Sequence, residues 1–428
     1  MTVGEPTAAA GVDDPRSGAP IEAESPGPVR ELFADRNFRN FYVAQVLYMA
    51  ANGTLRFAFV WLVVTLSEWP SVEGIVAIAL GLPAMFLSLP AGAWSDRVDR
   101  KRMYTYGTAV TLAALVAFTI VIASGNVTAL NTGIAALVIG AAISVNTPNI
   151  SAVVPLLVPE RMLMNAVALQ NGGGQAASFI GLAFGGVAIG LFGDAGAFAL
   201  LSVVTALSLV VMLRVTIPPH PAVPDGEQPH ILRSIADGAK FGFGHDPLRT
   251  LLILALILGG SFAVVQVSLP RVIEDDYGQS ASAAGLVLGV FGIGMLASSL
   301  VVARRKSMRH GVNLATYLGV GVGLGQLVVG LSPNVWVAAL SMFVWGAAAG
   351  VAMASHRTLM QTNTPPEMMG RVMGLLMLGF MGALPIGAFV SSVLAPQIGP
   401  AMTMRVVGLA TMAMTIPLTW RKSIISLR

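Results

Sequence analysis

The feature that most constrains this chain is a long apolar run, about twenty residues each time, that returns twelve times. A helix needs ~20 mostly apolar residues to cross the hydrocarbon core of a bilayer. Such runs fall at roughly 40–67, 73–94, 103–124, 132–157, 163–192, 195–213, 250–270, 279–303, 311–331, 334–356, 372–395 and 399–420. Breaks with turn or charge signals separate them, among them Ser67-Glu68-Trp69-Pro70, Gly193-Asp194-Ala195-Gly196 and Ser332-Pro333-Asn334. Composition agrees: 55% of residues are hydrophobic and 11% charged, where a soluble protein has about a quarter charged. This excludes an ordinary soluble enzyme, a nucleic-acid binder and a disordered scaffold. With no cysteine, disulfides and thiolate chemistry are excluded too. The expected fold class is an all-α polytopic membrane protein with twelve transmembrane helices.

Charge placement predicts orientation. All of the 25 Lys and Arg residues except Arg56, Arg271 and Arg405 fall in the tails or in the breaks on one side of the spans, and that side is expected to be cytoplasmic. Both termini then lie in the cytoplasm, and the high pI is a topology signal. Residues 1–30, rich in proline and acids, read as a disordered cytoplasmic tail rather than a signal peptide. Residues 31–213 form a first six-helix bundle, 214–249 a central cytoplasmic loop, and 250–428 a second six-helix bundle with a short cytoplasmic tail. Within the loop, Ile231 to Ala236 is amphipathic, which fits either a helix on the membrane surface or a linker. The halves read as repeats. An offset of 207 pairs Pro159-Glu160 with Pro366-Glu367, Gly53 with Gly260, Gly172 with Gly379, Arg97 with Arg304 and Arg102 with Arg309.

Between spans 2 and 3 the chain reads Gly92-Ala93-Trp94-Ser95-Asp96-Arg97-Val98-Asp99-Arg100-Lys101-Arg102. This resembles the signature loop of the major facilitator superfamily, G-x-x-[AS]-D-R-x-[GD]-R-[KR]-[KR], at every defined position. The resemblance implies two six-helix pseudo-repeats and a cytoplasmic latch. Asp96 would meet the start of helix 11 near Gly370, where unpaired N–H groups favour an anion. Arg97, Arg100 and Lys101 would pair with acids such as Glu160 and Glu367, with Arg371 at the same end. The segments Arg36-Asn37-Phe38-Arg39-Asn40-Phe41, Val153-Val154-Pro155-Leu156-Leu157-Val158-Pro159-Glu160 and Pro365-Pro366-Glu367-Met368-Met369-Gly370-Arg371 are similar to the enterobactin-exporter-like and macrolide-efflux-like group. That likeness implies export of an amphipathic drug, siderophore or other natural product. Two antiporter features are absent: span 4 holds no arginine, and Leu182 stands where G-P-x-x-G-G has proline.

Transporter sites lie near the midplane between repeats. Arg56 is the only charge midway along a span, where a charge costs ~2.5–3.5 kcal/mol on insertion scales and so belongs in a wet cavity. Its expected role is contact with an anion or carbonyl of the substrate. All 21 acids fall in tails, loops or span ends, so no buried carboxylate is visible to carry a coupling proton; Glu68 or Glu73 at the cavity mouth, and His356 at the end of span 10, are the alternatives. Neutral amides are the further binding candidates: Gln45 and Asn52 in span 1, Asn146 and Asn149 on one face of span 4, Asn171 and Gln175 one turn apart in span 5, and Gln266 in span 7. No cofactor, metal or nucleotide site is expected, since none of the four lysines follows a glycine. The expectation is a monomeric exporter in the inner (cytoplasmic) membrane. Its partners are a small-molecule substrate and the lipid bilayer, and proton antiport is the coupling to test. An importer or a non-transporting receptor on the same fold is the alternative.

Overall fold

The computed structural model describes residues 28–66, 76, 78–83, 86–87, 99–218, 231–304 and 309–427. Of the tail expected at 1–30, residues 1–27 lie outside them, as do the loop residues Gly92, Asp96 and Arg97, while 28–30 are helical rather than disordered because they open α1. The short α1 (Pro28–Ala34) is followed by α2 (Arg36–Leu66), α3 (Arg100–Ala123), α4 (Ala129–Leu157) and α5 (Glu160–Leu213). Then come α6 (Ile231–Gly244), α7 (Asp246–Arg271), α8 (Ala281–Arg304), α9 (His310–Leu331), α10 (Val335–Thr362), α11 (Met369–Ile398), α12 (Pro400–Thr419) and the short α13 (Lys422–Ile425). There is no strand among the described residues.

Ten helices among the described residues are long and apolar enough to cross a membrane. The 54-residue α5 contains two of the expected spans, because Gly193 breaks it with φ +68° and ψ 179°. Only glycine reaches that backbone region without strain, and the break falls at the expected turn. The span expected at 73–94 lies largely outside the described residues, although 78–83 and 86–87 within it are helical. Helix starts follow local chemistry. Asp99 caps α3 by accepting from the Lys101 and Arg102 amides at 2.8 and 3.0 Å. Thr128 and Asn131 form a reciprocal capping box on α4. Asn334 caps α10 through the Trp336 and Val337 amides. The middle of α9, Leu314–Val322, is π-helical.

The same packing scheme occurs twice. α2 lies along α5, as α7 lies along α11 and α12; α3 packs on α4 and the second arm of α5, as α9 packs on α10 and α12. Glycine makes both central seams possible. A Cβ on Gly53 or Gly181 would overlap the backbone of Ser178 or Ala50, and one on Gly259 or Gly387 that of Phe380 or Gly260. Without a hydrophobic force between helices in lipid, such close approach is what drives association. Aromatic clusters pin the upper halves. Phe59, Phe118 and Phe198 meet at 5.3–5.4 Å between centroids, and Phe291 meets Phe262 at 5.4 Å and Trp345 at 5.0 Å.

Candidate transport cavity

Arg56 of α2 and Gln266 of α7 line one cavity of about 60 Å³. Ile143 and Ser144 of α4, Met381 and Leu384 of α11, and Val76, Leu80 and Gly81 close it around them. Positions 56 and 263, 59 and 266, and 60 and 267 all line it, and each pair is separated by the repeat offset of 207. Equivalent turns of α2 and α7 therefore face each other, and the cavity sits on the axis relating the halves. The two sides have diverged: Arg56 faces its counterpart Ala263, and Gln266 its counterpart Phe59. Both polar side chains are partly buried. Neither has a hydrogen-bond or ion-pair partner among the described residues. The Ser144 hydroxyl is taken up by the Gly140 carbonyl at 2.6 Å.

One end of the cleft is shut. Beyond the cavity, Arg271 at the end of α7 is 8% exposed and donates to the Val64 carbonyl of α2 at 3.5 Å. Val64 and Arg271 are again 207 apart, so this contact lies on the same axis. At that end α5 and α8 touch along a small-residue stripe. A Cβ on Gly186 or Gly190 would overlap Ala281 or Ser282, and Phe179 packs on Phe291 at 5.6 Å. Pro385 of α11 comes within 3.2 Å of where a Gly81 Cβ would stand. Tyr277 ties this end down by donating to the Ser332 carbonyl at 2.6 Å; burial, with Asp276 beside it, raises the pKa of its phenol. The other end is open. The α5 face that meets α8 at 179–190 continues through Gln175 and Gly172, which are exposed, as is Leu296 on the facing stripe of α8. The helices diverge toward the end that carries Glu160.

The other expected binding residues are placed differently. Asn171 and Gln175 share an exposed face of α5 at the open end. Gln45 is buried and donates to the Gln170 carbonyl, while Gln170 donates to the Ile150 carbonyl, each at 3.2 Å. Asn146 and Asn149 do share one face of α4, but that face turns to α3. Asn146 donates to Thr108 at 3.1 Å and Asn149 to the Arg100 carbonyl at 2.7 Å. Asn52 donates to the Tyr48 carbonyl of its own helix at 2.9 Å and lines a void of about 10 Å³ between α2, α3 and α5. Gln45, Asn146 and Asn149 thus join neighbouring helices, and Asn52 stays on its own helix; none of the four lines the Arg56 cavity.

At the open end, Lys101 does not reach an acid. Its Nζ donates to the Leu213 carbonyl at 2.9 Å, at the negative end of the α5 dipole. Arg100 opens α3, and Glu160 and Glu367 are exposed. Arg371 pairs with Asp237 of α6 at 3.5 Å. Gly370 has no described atom within 4 Å of its would-be Cβ. Sequence reasoning missed Asp237, Arg271 and Met381. Only Arg271 gave a signal, as one of two arginines, with Arg405, on the side poor in basic residues.

A model of the transmembrane secretion effector family matches residues 31–423. Over 375 residues the chain is 25% identical to the multidrug efflux pump Tap of Mycobacterium tuberculosis, covering 83% of this chain and 86% of that one. Over 231 residues it is 29% identical to the enterobactin exporter EntS of Escherichia coli, covering 52% and 53%. Among solved structures it resembles the nucleoside transporter NupG, with TM-score 0.70 at 15% identity over 89% of this chain and 97% of that one. It also resembles a bacterial homolog of the human lysosomal transporter Spinster in an inward-facing conformation, with TM-score 0.66 at 12% identity over 92% and 95%. At these identities the solved structures bear on the fold alone.

Proposed function

The chain belongs to the transmembrane secretion effector family of the major facilitator superfamily, and from that premise we infer that it exports an amphipathic small molecule from the cytoplasm by alternating access. That it is a multi-pass membrane transporter and not an enzyme follows from the family itself. The direction, the substrate class and the site are the proposal. One observation carries it: a cavity on the repeat axis, lined by Arg56 and Gln266, shut at one end by Arg271 and the α5–α8 stripe and open at the other. Transporter sites form at this place. The positive-inside rule puts the open end in the cytoplasm, where a cargo for export would load. Two six-helix bundles, 31–213 and 250–428, would rock about the cavity. The cytoplasmic latch of Asp96, Arg97, Arg100 and Lys101 would then close on helix 11 near Gly370 when the outer end opens. The names of Tap and EntS support export. An ion gradient would drive it, protons being the first to test.

The test compares small molecules inside and outside cells with and without the protein, before and after an uncoupler. Export predicts that one compound accumulates inside cells lacking the protein, and that the uncoupler erases the difference. Depletion of a compound in those cells would make the protein an importer and overturn the proposed direction.

A further inference from the structure

We propose that the cavity selects organic anions: it takes an amphiphile with a carboxylate or similar oxyanion at one end of an apolar body and rejects the matched cation. This rests on reading the Arg56–Gln266 cavity as the substrate site. The argument is a charge inventory. From Tyr277 to Arg428 the sequence holds one acid, Glu367, and between Asp99 and Asp225 only Glu160 and Asp194. Between Asp35 and Glu68, and again between Asp246 and Glu274, there is none. Glu68, Glu73 and Asp96 fall outside the described residues, and among the described residues no carboxylate lines the cavity with Arg56. The cavity walls agree. α4 contributes Ile143 and Ser144, α7 Gln266, and α11 Met381 and Leu384, all uncharged. Arg56 itself has no partner among the described residues.

A guanidinium stays charged under all ordinary conditions and presents a planar fork that fits a carboxylate with two parallel bonds. In a cavity of low dielectric, one uncompensated positive charge attracts an anion and repels a cation far more than in water. The usual way to hold an arginine in a membrane is to pair it with an acid. Among the described residues no acid meets Arg56, so the cargo is the natural counter-charge. Gln266, across the axis, has a free amide to bond a second polar atom. Met381, Leu384 and Ile143 give a pliable apolar wall for the body. Divergence of the repeats points the same way: the position equivalent to Arg56 is Ala263, so nothing on the other half cancels or doubles the charge.

The test uses inverted membrane vesicles with and without the full-length protein and three probes on one scaffold. Each is a decyl chain carrying dansyl at one end and a carboxylate, its methyl ester or a trimethylammonium at the other. Saturable uptake of the carboxylate should exceed that of the trimethylammonium by about tenfold or more, and Arg56→Gln should lower the carboxylate-to-ester ratio by a similar factor. Arg56→Lys should restore part of that ratio. Equal uptake of cation and anion by the unaltered protein, a measurement that does not depend on any variant folding, would overturn the proposal. So would an unchanged ratio in Arg56→Gln. A panel of uncharged macrocycles run alongside separates the two levels of inference. If the vesicles move macrocycles but none of the three probes, the anion class fails and the exporter stands. If they move nothing, the exporter reading fails and the anion class with it.

Discussion

Arg271 makes the polar contact between α2 and α7 at the shut end of the cleft. Val64 lies in the last turn of α2, where a carbonyl has no amide of its own helix to accept from, and Arg271 supplies the missing donor from the other half. Its second contact, Asp275 at 3.7 Å, lies one turn away on its own chain segment and keeps the guanidinium aimed across the axis. Loss of a charge-assisted bond of this kind is worth roughly 1.5–3 kcal/mol, so Arg271→Gln should loosen the shut end by about tenfold or more. The chain has no cysteine, which makes the measurement direct. In a Ser282→Cys background, a membrane-impermeant maleimide should react faster when Arg271→Gln is added, and an unaltered rate would remove Arg271 from the closure. Residue spacing alone did not reveal this role. It also misdirected Asn146 and Asn149: three residues apart, they share a face, but spacing does not say which neighbour that face meets, and here it is α3.

Among the elements, α6 is the one whose placement the sequence left open. An amphipathic stretch says that an apolar face exists, not what covers it. In the structure α6 docks on the open end of the second group of helices. Gly238 lies against Arg371 and Leu375, and Gly242 against Leu252. The Asp237–Arg371 pair beside it is 47% and 36% exposed, and exposed pairs contribute little. Docking therefore rests on the glycines. Gly238→Leu should undock α6 and speed trypsin cleavage at Lys240, which is exposed on the same helix, whereas Asp237→Asn should leave cleavage within about twofold of the parent. Equal cleavage in Gly238→Leu and parent would show that the glycine contact is not what holds α6. The spanning helices were far more legible, because hydropathy over about twenty residues averages out local error. α2, α3, α7 and α12 begin and end within four residues of their expected bounds. The seams between them were less so, since an apolar run does not say which of its glycines meets backbone.

For the whole molecule the decisive relation is the offset of 207, read first from Pro-Glu and arginine pairs and then found among the residues lining the cavity and in the Val64–Arg271 bond. Sequence gave the axis but not the state, because alternating conformations share one sequence and differ only in which end is packed. Two variants address the two ends. Asp96→Asn, which removes the latch acid implied at the cytoplasmic end, should hold that end open and raise maleimide labelling of Gln175→Cys during turnover; unchanged labelling and unchanged transport would discard the latch. At the outer end, an ideal Cβ on Gly190 stands 3.4 Å from the Ser282 Cβ, close to the ~3.5–4.5 Å that a disulfide needs. Gly190→Cys with Ser282→Cys should therefore cross-link under mild oxidation, with no native cysteine to compete. Locked shut on the outside, the protein should still bind its cargo from the open end but move none, and a reductant should restore transport. Rigid-body exchange between two packings makes this outcome necessary, because the cavity cannot open at that end while α5 and α8 are joined. Full transport by completely cross-linked protein would mean that cargo leaves by another path, and alternating access about this axis would have to be given up.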